Sequence, residues 1–436
     1  MGAGAEDTQR DADTGGRVHA MTQETVRETA RDIPVIAEVD VLVCGGGPAG
    51  TAAAVASARA GAQTMLLERY GCLGGLATGG LVIVLPPLVR GDHQVIGGIG
   101  QETLERLIDA GEADYRNERG SSRFDPEGLK RLSDEMCVDA GVLVRLHSWV
   151  VGVFGDEGRP EGVITESKAG RQAIRAGVIV DCTGDGDVAA LAGAGFERDD
   201  KMIGLPFRIG NIDMERWSEA RSDGIGGEIH KEAHAAAGYE SHFGLSPFPL
   251  NPGVAWGNNH MASGDFLDPA VLTRMEIRGR RSAKTVLDVV REKMPGFEDA
   301  WLIDTASQIG VRCTRRVNGI ATMRFEEFEA EKQFDDSVAL GNDFRKPQLV
   351  YEIPLGSLIP ADVGGMLVAG RCVSGDAEAM EALREIHCCW TMGEAAGAAA
   401  AMAAERGCEP REVPVNELRE GLVAAGAVVD LPPAVG

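Results

Sequence analysis

The chain has 436 residues, 44% hydrophobic and 5% aromatic, with a formal net charge of −24. That length buries a large core in one complex domain or two, and the acidity excludes nucleic acid and anionic membranes as expected partners. Nine cysteines without a Cys-x-x-Cys pair argue against a disulfide framework and against zinc.

The N-terminal stretch to Ala20 is polar and rich in Gly, Ala and Asp, and residues 1–32 read as a disordered tail. It lacks the basic-plus-apolar pattern of a secretory signal, and no apolar run reaches the length of a membrane span. The expected location is cytoplasmic. Val41, Leu42 and Val43 then form a short β-rich run. Gly45, Gly47 and Gly50, with Pro48 and Ala49 between, supply G-x-G-x-x-G ahead of an Ala-rich helix. Gly45 suits the tight turn, Gly47 lets backbone approach a pyrophosphate, and Gly50 lets helix and strand pack closely. The helix N-terminus offers free N–H groups to a diphosphate. Gly61 ends the helix, Met65–Leu67 is the second strand, and Glu68 follows eighteen residues after Gly50. A carboxylate there accepts hydrogen bonds from ribose hydroxyls, and its charge repels the 2′-phosphate of NADP. FAD and NAD remain. A second glycine-dense loop, Arg69–Gly80 with Gly74, Gly75 and Thr78, favours FAD, whose extended body needs close backbone approach past the second strand.

Further along, Asp125 and Pro126 predict the N-cap and first residue of a helix over 127–140. Strands follow at 142–146, 149–154 and 162–165. The buried-type strand Val178–Asp181 ends in Cys182-Thr183-Gly184-Asp185-Gly186-Asp187. From Leu205 to Pro347 tryptophan, histidine and proline concentrate, which marks a substrate or cap domain. Within it, Asn258, Asn259 and His260 are candidates to orient and deprotonate an alcohol or amine, against the plainer reading of a satisfied loop histidine. Residues 270–293 have helical spacing. If Gln308–Val317 is a strand, alternation sends Arg312, Thr314 and Arg316 to one face, where two guanidiniums suit a carboxylate. Structural ion pairing is the equal alternative. Met366–Ala369 is a further strand, ending in Gly370 and Arg371. A long helix spans 388–405, and a short tail helix is expected to be capped by Asn416.

The ordered motifs resemble the bacterial FAD-dependent oxidoreductase family with the glutathione-reductase-like fold. Within that class the sequence looks related to heterodisulfide reductase flavin subunits and, more distantly, to fumarate-reductase-type flavoproteins. Residues Asp181–Ala189 match the family's D-A-T-G-D-G-D-V-A with Cys182 for Ala. Residues 310–317 match G-V-R-E-S-R-R-I with Cys313 for Glu and Thr314 for Ser. Residues 384–389 match R-x-x-P-x-C with His387 for Pro. The resemblance implies an α/β architecture: a Rossmann-type FAD-binding domain over 33–204 and 348–408, an inserted α+β cap over 205–347, and a C-terminal helix and tail over 409–436. It further implies that the strand at Val150 and Val151 holds the adenine. Thr183, Gly184 and Asp185 would let the cofactor pass, and Gly370 and Arg371 would approach the ribitol phosphate. The last long helix would aim its N-terminus at the flavin, with His387 as a candidate general base at the flavin edge.

No second nucleotide fingerprint is present. The expected activity is therefore a dehydrogenase or oxidase that passes a hydride from a small polar organic substrate to flavin N5. The final acceptor is left open between oxygen, a quinone and a carrier protein, and a homo-oligomer is also left open. An NAD(P)H-fed monooxygenase or reductase, and a non-catalytic electron-relay subunit, are the alternatives.

Overall fold

The computed structural model describes residues 25–114 and 122–432. The expected disorder up to Ala20 lies outside them. Residues 1–34 and Val35–Gly436 are separate units, and residues 25–34 form no regular element.

Strand β1 (Val35–Cys44) is wholly buried over its last four residues, as a central parallel strand must be. It leads into α1 (Pro48–Arg59) and β2 (Thr64–Leu67), which pairs parallel with β1. Helices α2 (Gly98–Asp109) and α3 (Pro126–Asp139) follow. Asp125 caps α3 by accepting from the Glu127 N–H at 3.0 Å, as the sequence predicts. Strand β3 (Leu143–Arg145) pairs parallel with β2. Then β4 (Trp149–Asp156), β5 (Arg159–Ser167) and β6 (Gly170–Asp181) run as an antiparallel meander. Strand β6 returns beside β1 in parallel, with Val43 opposite Val180 and Cys44 opposite Asp181. The C-terminal ends of β1, β2 and β6 therefore open at one edge, where ligands bind in such sheets.

Strand β7 (Phe196–Arg198) leaves this sheet. A second, antiparallel sheet follows from β8 (Phe207–Gly210), with helices α4 (Met214–Ser222) and α5 (Ile225–Ala237), β9 (Phe243–Pro247) and β10 (Ala255–Asn259). Helix α6 (Pro269–Lys293) and β11 (Trp301–Thr305) complete it, in the strand order β9-β10-β8-β11. Gly279, which interrupts the helical pattern of α6, has a packing reason. A Cβ there would lie 2.7 Å from the Leu205 side chain.

Strand β12 (Arg315–Val317) pairs with β7. The hairpin β13 (Ser337–Asp343) and β14 (Lys346–Pro354) packs into the first core rather than under the second sheet. Strand β15 (Met366–Val368) adds a seventh strand to the main sheet, parallel to β6. Helix α7 (Ile386–Arg406) lies against α1 so closely that a Cβ on Gly393 or Gly397 would come 2.1 or 2.2 Å from the carbonyl oxygens of Ala49 and Ala53. The tail helix α8 is Val415–Ala424, with Pro414 as its N-cap. Asn416 thus lies inside the first turn and is not the cap expected of it. No helix among the described residues is long and apolar enough to cross a membrane.

Candidate functional site

The turn after β1 is built by glycine at two backbone contacts. Gly45 has φ +101°, and a Cβ there would lie 2.4 Å from the Cys182 carbonyl oxygen. A Cβ on Gly50 would lie 1.7 Å from the carbonyl oxygen of Gly45, so α1 and the turn touch only through glycine. Gly47, the N-cap of α1, is different: a Cβ there meets nothing within 4 Å. It faces open space at a helix start that no side chain caps, with Pro48 in the first turn. Unsatisfied N–H groups and a glycine cradle form an anion site of the pyrophosphate type.

The Glu68 carboxylate closes one side. Its Oε2 accepts from the Gly46 N–H at 2.7 Å and its Oε1 from the Tyr70 N–H at 2.8 Å, so its direction is fixed by backbone. The second glycine loop folds onto the first, with the Gly74 N–H donating to the Gly46 carbonyl at 2.7 Å. Here Thr78 is structural, its hydroxyl donating to the Leu73 carbonyl at 2.7 Å.

These parts line one cavity of about 590 Å³. Gly45, Gly47, Pro48, Ala49, Glu68, Arg69 and Gly75 line it from one side. Thr183, Gly184, Gly370 and Arg371 line it from another. Gly50, Gly74, Thr78 and Asp185 are not in that lining, nor are Val150 and Val151 on β4. Asp185 instead accepts from the Thr314 hydroxyl at 2.8 Å and pairs with Arg371 at 3.4 Å.

The same cavity is lined by His260, Arg312, Asn258 and Gln308, together with residues on which sequence reasoning placed less weight or none: His242, Trp256, Arg123, Glu381 and Glu385. His260 Nδ1 is 2.9 Å from the Ser241 hydroxyl, and its other ring nitrogen has no partner among the described residues. Burial, then the nearby Arg312 and His242, bring His260 down to about 4, so its imidazole is neutral near pH 7. The Arg312 guanidinium makes no hydrogen bond or ion pair among the described residues, and burial and Arg384 together lower it to about 10. Asn259 is spent on structure. Its side chain bonds both backbone groups of Leu205, at 3.0 and 2.7 Å.

Two sequence expectations are corrected. Residues 311–314 are not a strand: Gly310 makes one isolated bridge to Gly204, and regular pairing resumes only at Arg315. Arg312 and Arg316 therefore do not share a face. Arg316 donates to the Gly375 carbonyl at 2.7 Å and lies 3.5 Å from Asp199, which is the structural ion-pair reading. The second correction concerns His387, which is fully buried in the first turn of α7, beneath β13, and absent from the cavity lining. Its Nε2 is 3.2 Å from the Asn342 carbonyl oxygen, and burial brings it down to about 4. Cys389, two residues on, does line the cavity, but burial pushes its thiol up to about 12. It is no thiolate near neutral pH.

The cradle at Gly47, the fixed Glu68 and the glycine-lined far wall fit an extended dinucleotide. The solved structures to which the chain is similar share little sequence with it. A geranylgeranyl bacteriochlorophyll reductase-like protein from Thermoplasma acidophilum matches with 15% identity over 89% of this chain and 83% of that one, at a TM-score of 0.47. The flavin-dependent brominase Bmp2 matches with 11% identity over 88% and 83%, at 0.48. The p-nitrophenol 4-monooxygenase PnpA from Pseudomonas putida matches with 12% identity over 89% and 85%, at 0.46. The model of the FAD dependent oxidoreductase family matches residues 40–422, nearly the whole of the described chain, and the protein belongs to that family, with FAD as its cofactor.

Proposed function

We propose that the protein is an FAD-dependent dehydrogenase or oxidase acting on a small polar organic substrate. The observation that carries this reading is the pairing, in the cavity that the cradle and Glu68 also line, of an unpartnered guanidinium (Arg312) with a neutral imidazole (His260). Bound FAD supplies the hydride acceptor, N5, and the route by which electrons leave. The chain's residues supply the rest. Arg312 anchors a polar substrate group. In the tautomer whose Nδ1–H donates to Ser241 Oγ, His260 presents a lone pair at Nε2 and takes the proton from a substrate O–H or N–H. The segment 205–347 acts as the cap that brings His260 and Arg312 over the cavity. Glycine contacts between α1 and α7 hold the cradle rigid, so the reacting partners keep one geometry.

The electron acceptor in this reading is oxygen, a quinone or a carrier protein. The nine free thiols support a cytoplasmic setting. Kinship with heterodisulfide reductase flavin subunits rests on the ordered motifs alone. Anaerobic mixing tests the proposal. Flavin bleaching by a small organic donor supports it. Bleaching by NADPH favours a monooxygenase or reductase, and bleaching only with a protein partner favours an electron relay.

A further inference from the structure

Among Lys201, Glu381, Arg384, Glu385 and Arg312, cations outnumber anions by one. Lys201 bonds Glu381 at 2.6 Å, Arg384 bonds the same carboxylate at 2.8 Å, and Arg384 lies 3.7 Å from Glu385. Two cations and two anions thus form a self-neutral chain. Burial pushes Glu381 up, but Arg384 and Lys201 outweigh it and hold it at about 2. Arg312 joins this cluster as a third cation and has no carboxylate within ion-pair distance among the described residues. Three further cations of the cavity lining are already engaged. Arg345 is held by Asp343 at 2.8 Å, Arg371 pairs with Asp185, and Arg123 donates to Ser246 and to the Pro247 carbonyl. A desolvated charge without a counterion is costly, and a ligand of opposite charge removes that cost.

Another part of the lining has a different chemistry. Leu76, Val82, Val84 and Trp256 belong to it, with the Arg123 guanidinium 5.7 Å over the Trp256 ring, and the Trp256 indole N–H is already spent on the Leu81 carbonyl at 2.9 Å. That part offers an apolar surface with no free donor on the indole.

We infer that the ligand of this part of the cavity is an organic monoanion with an apolar body, its carboxylate on Arg312 and its body against Leu76, Val82, Val84 and Trp256. This rests on the reading of Arg312 as the substrate anchor and narrows it to one negative charge. A dianion would bring a second charge toward Glu381 and Glu385, which already lie near Arg312. A neutral ligand would leave Arg312 uncompensated. A planar guanidinium accepts a carboxylate through two parallel hydrogen bonds, the stronger geometry for this pair.

The test uses the full FAD-loaded chain and three probes of one size: benzyl alcohol, benzoate, and phenylphosphonate at a mildly alkaline pH where it is a dianion. Binding is read by calorimetry and by perturbation of the visible flavin spectrum, so no turnover is needed. Benzoate is expected to bind about tenfold or more tighter than either other probe. Arg312→Leu is expected to erase that preference with the flavin retained, and Arg312→Lys to keep part of it. Three results overturn the inference: benzyl alcohol or phenylphosphonate binding as well as benzoate, a benzoate preference that survives Arg312→Leu, or no binding by any of the three. If Arg312→Leu does not fold, the probe ranking on the wild type and Arg312→Lys decides alone. A benzoate preference without any donor that bleaches the flavin would sink the proposed reaction and leave the ligand class standing.

Discussion

Gly47 and Gly50 lie three residues apart in one motif and do opposite work. Gly50 is where two backbones touch, and Gly47 is where the protein leaves room. Gly47→Val is therefore expected to fold, with a thermal midpoint near that of the wild-type apoprotein, and to be colourless because the new side chain fills the cradle. Gly50→Val is expected to fail to fold or to melt far lower. A yellow Gly47→Val protein with full flavin would contradict the cradle. The histidines separate in the same way. His260→Asn is expected to slow flavin reduction by about two to four orders of magnitude if the residue is the general base. His387→Asn is expected to stay within a few-fold. In the wild type, kcat/KM is expected to fall only as pH drops through about 4, where the His260 imidazole takes up a proton and loses its lone pair. That limb should vanish in His260→Asn. A rate loss confined to His387→Asn would return the role to that residue. The glycine roles were legible because each depends on a local turn. The difference between the histidines was not, because a helix start tells nothing about which strand covers it. Only β13, from far upstream, puts His387 in the core.

At the scale of elements, α7 carries two buried titrating groups with opposite effects. His387 is brought down to about 4 by burial, so its share of stability is full above the ordinary value of 6.5 and is lost as pH falls toward 4. Glu394, whose carboxylate accepts from the Ile99 N–H at the start of α2, is pushed up to about 7 by burial. Its ionisation costs stability as pH rises from the ordinary 4.5 through 7. Each effect is of the order of 3 kcal/mol at most. Glu394→Gln is expected to be more stable than wild type above about pH 7, with the difference vanishing below about 4.5. His387→Gln is expected to flatten the loss between 6.5 and 4. Denaturant midpoints across that range check both, and parallel pH profiles for wild type and variants would contradict the burial argument. The helices themselves were readable from caps and spacing. Asp125 and Pro126 start α3 as the sequence predicts, and α6 begins at Pro269, one residue before its predicted start. The stretch 308–317 was misread because strand alternation presumes continuous pairing. Here the pairing breaks between Gly310 and Arg315, so Arg312 lines the cavity while Arg316 bonds the Gly375 carbonyl.

At the scale of the molecule, the site is a meeting of distant segments. The cradle comes from residues 45–50 and the second glycine loop from 74–78. The far wall comes from 182–184 and 369–371, and the polar end from His260, Arg312 and residues 381–385. The cradle, the glycine loop and the far wall were legible, since they are contiguous motifs whose order fixes their place in the fold. The charge chain from Lys201 through Glu381 and Arg384 to Glu385 was not, because no spacing links Lys201 to residues 180 positions away. The protein's net charge of −24 makes the isolated cation at Arg312 stand out, since a monoanion must find a local positive end on a surface that otherwise repels it. The central claim is that electrons enter from a small organic donor held at that end. Anaerobic stopped-flow reduction of the FAD-loaded protein tests it most directly, with a panel of small 2-hydroxy and 2-amino acids bearing apolar side chains set against NADH and NADPH. At least one acid is expected to bleach the flavin, with the rate lost in His260→Asn, and neither nicotinamide is expected to do so. Rapid bleaching by NADH or NADPH, with every acid inert, would contradict it.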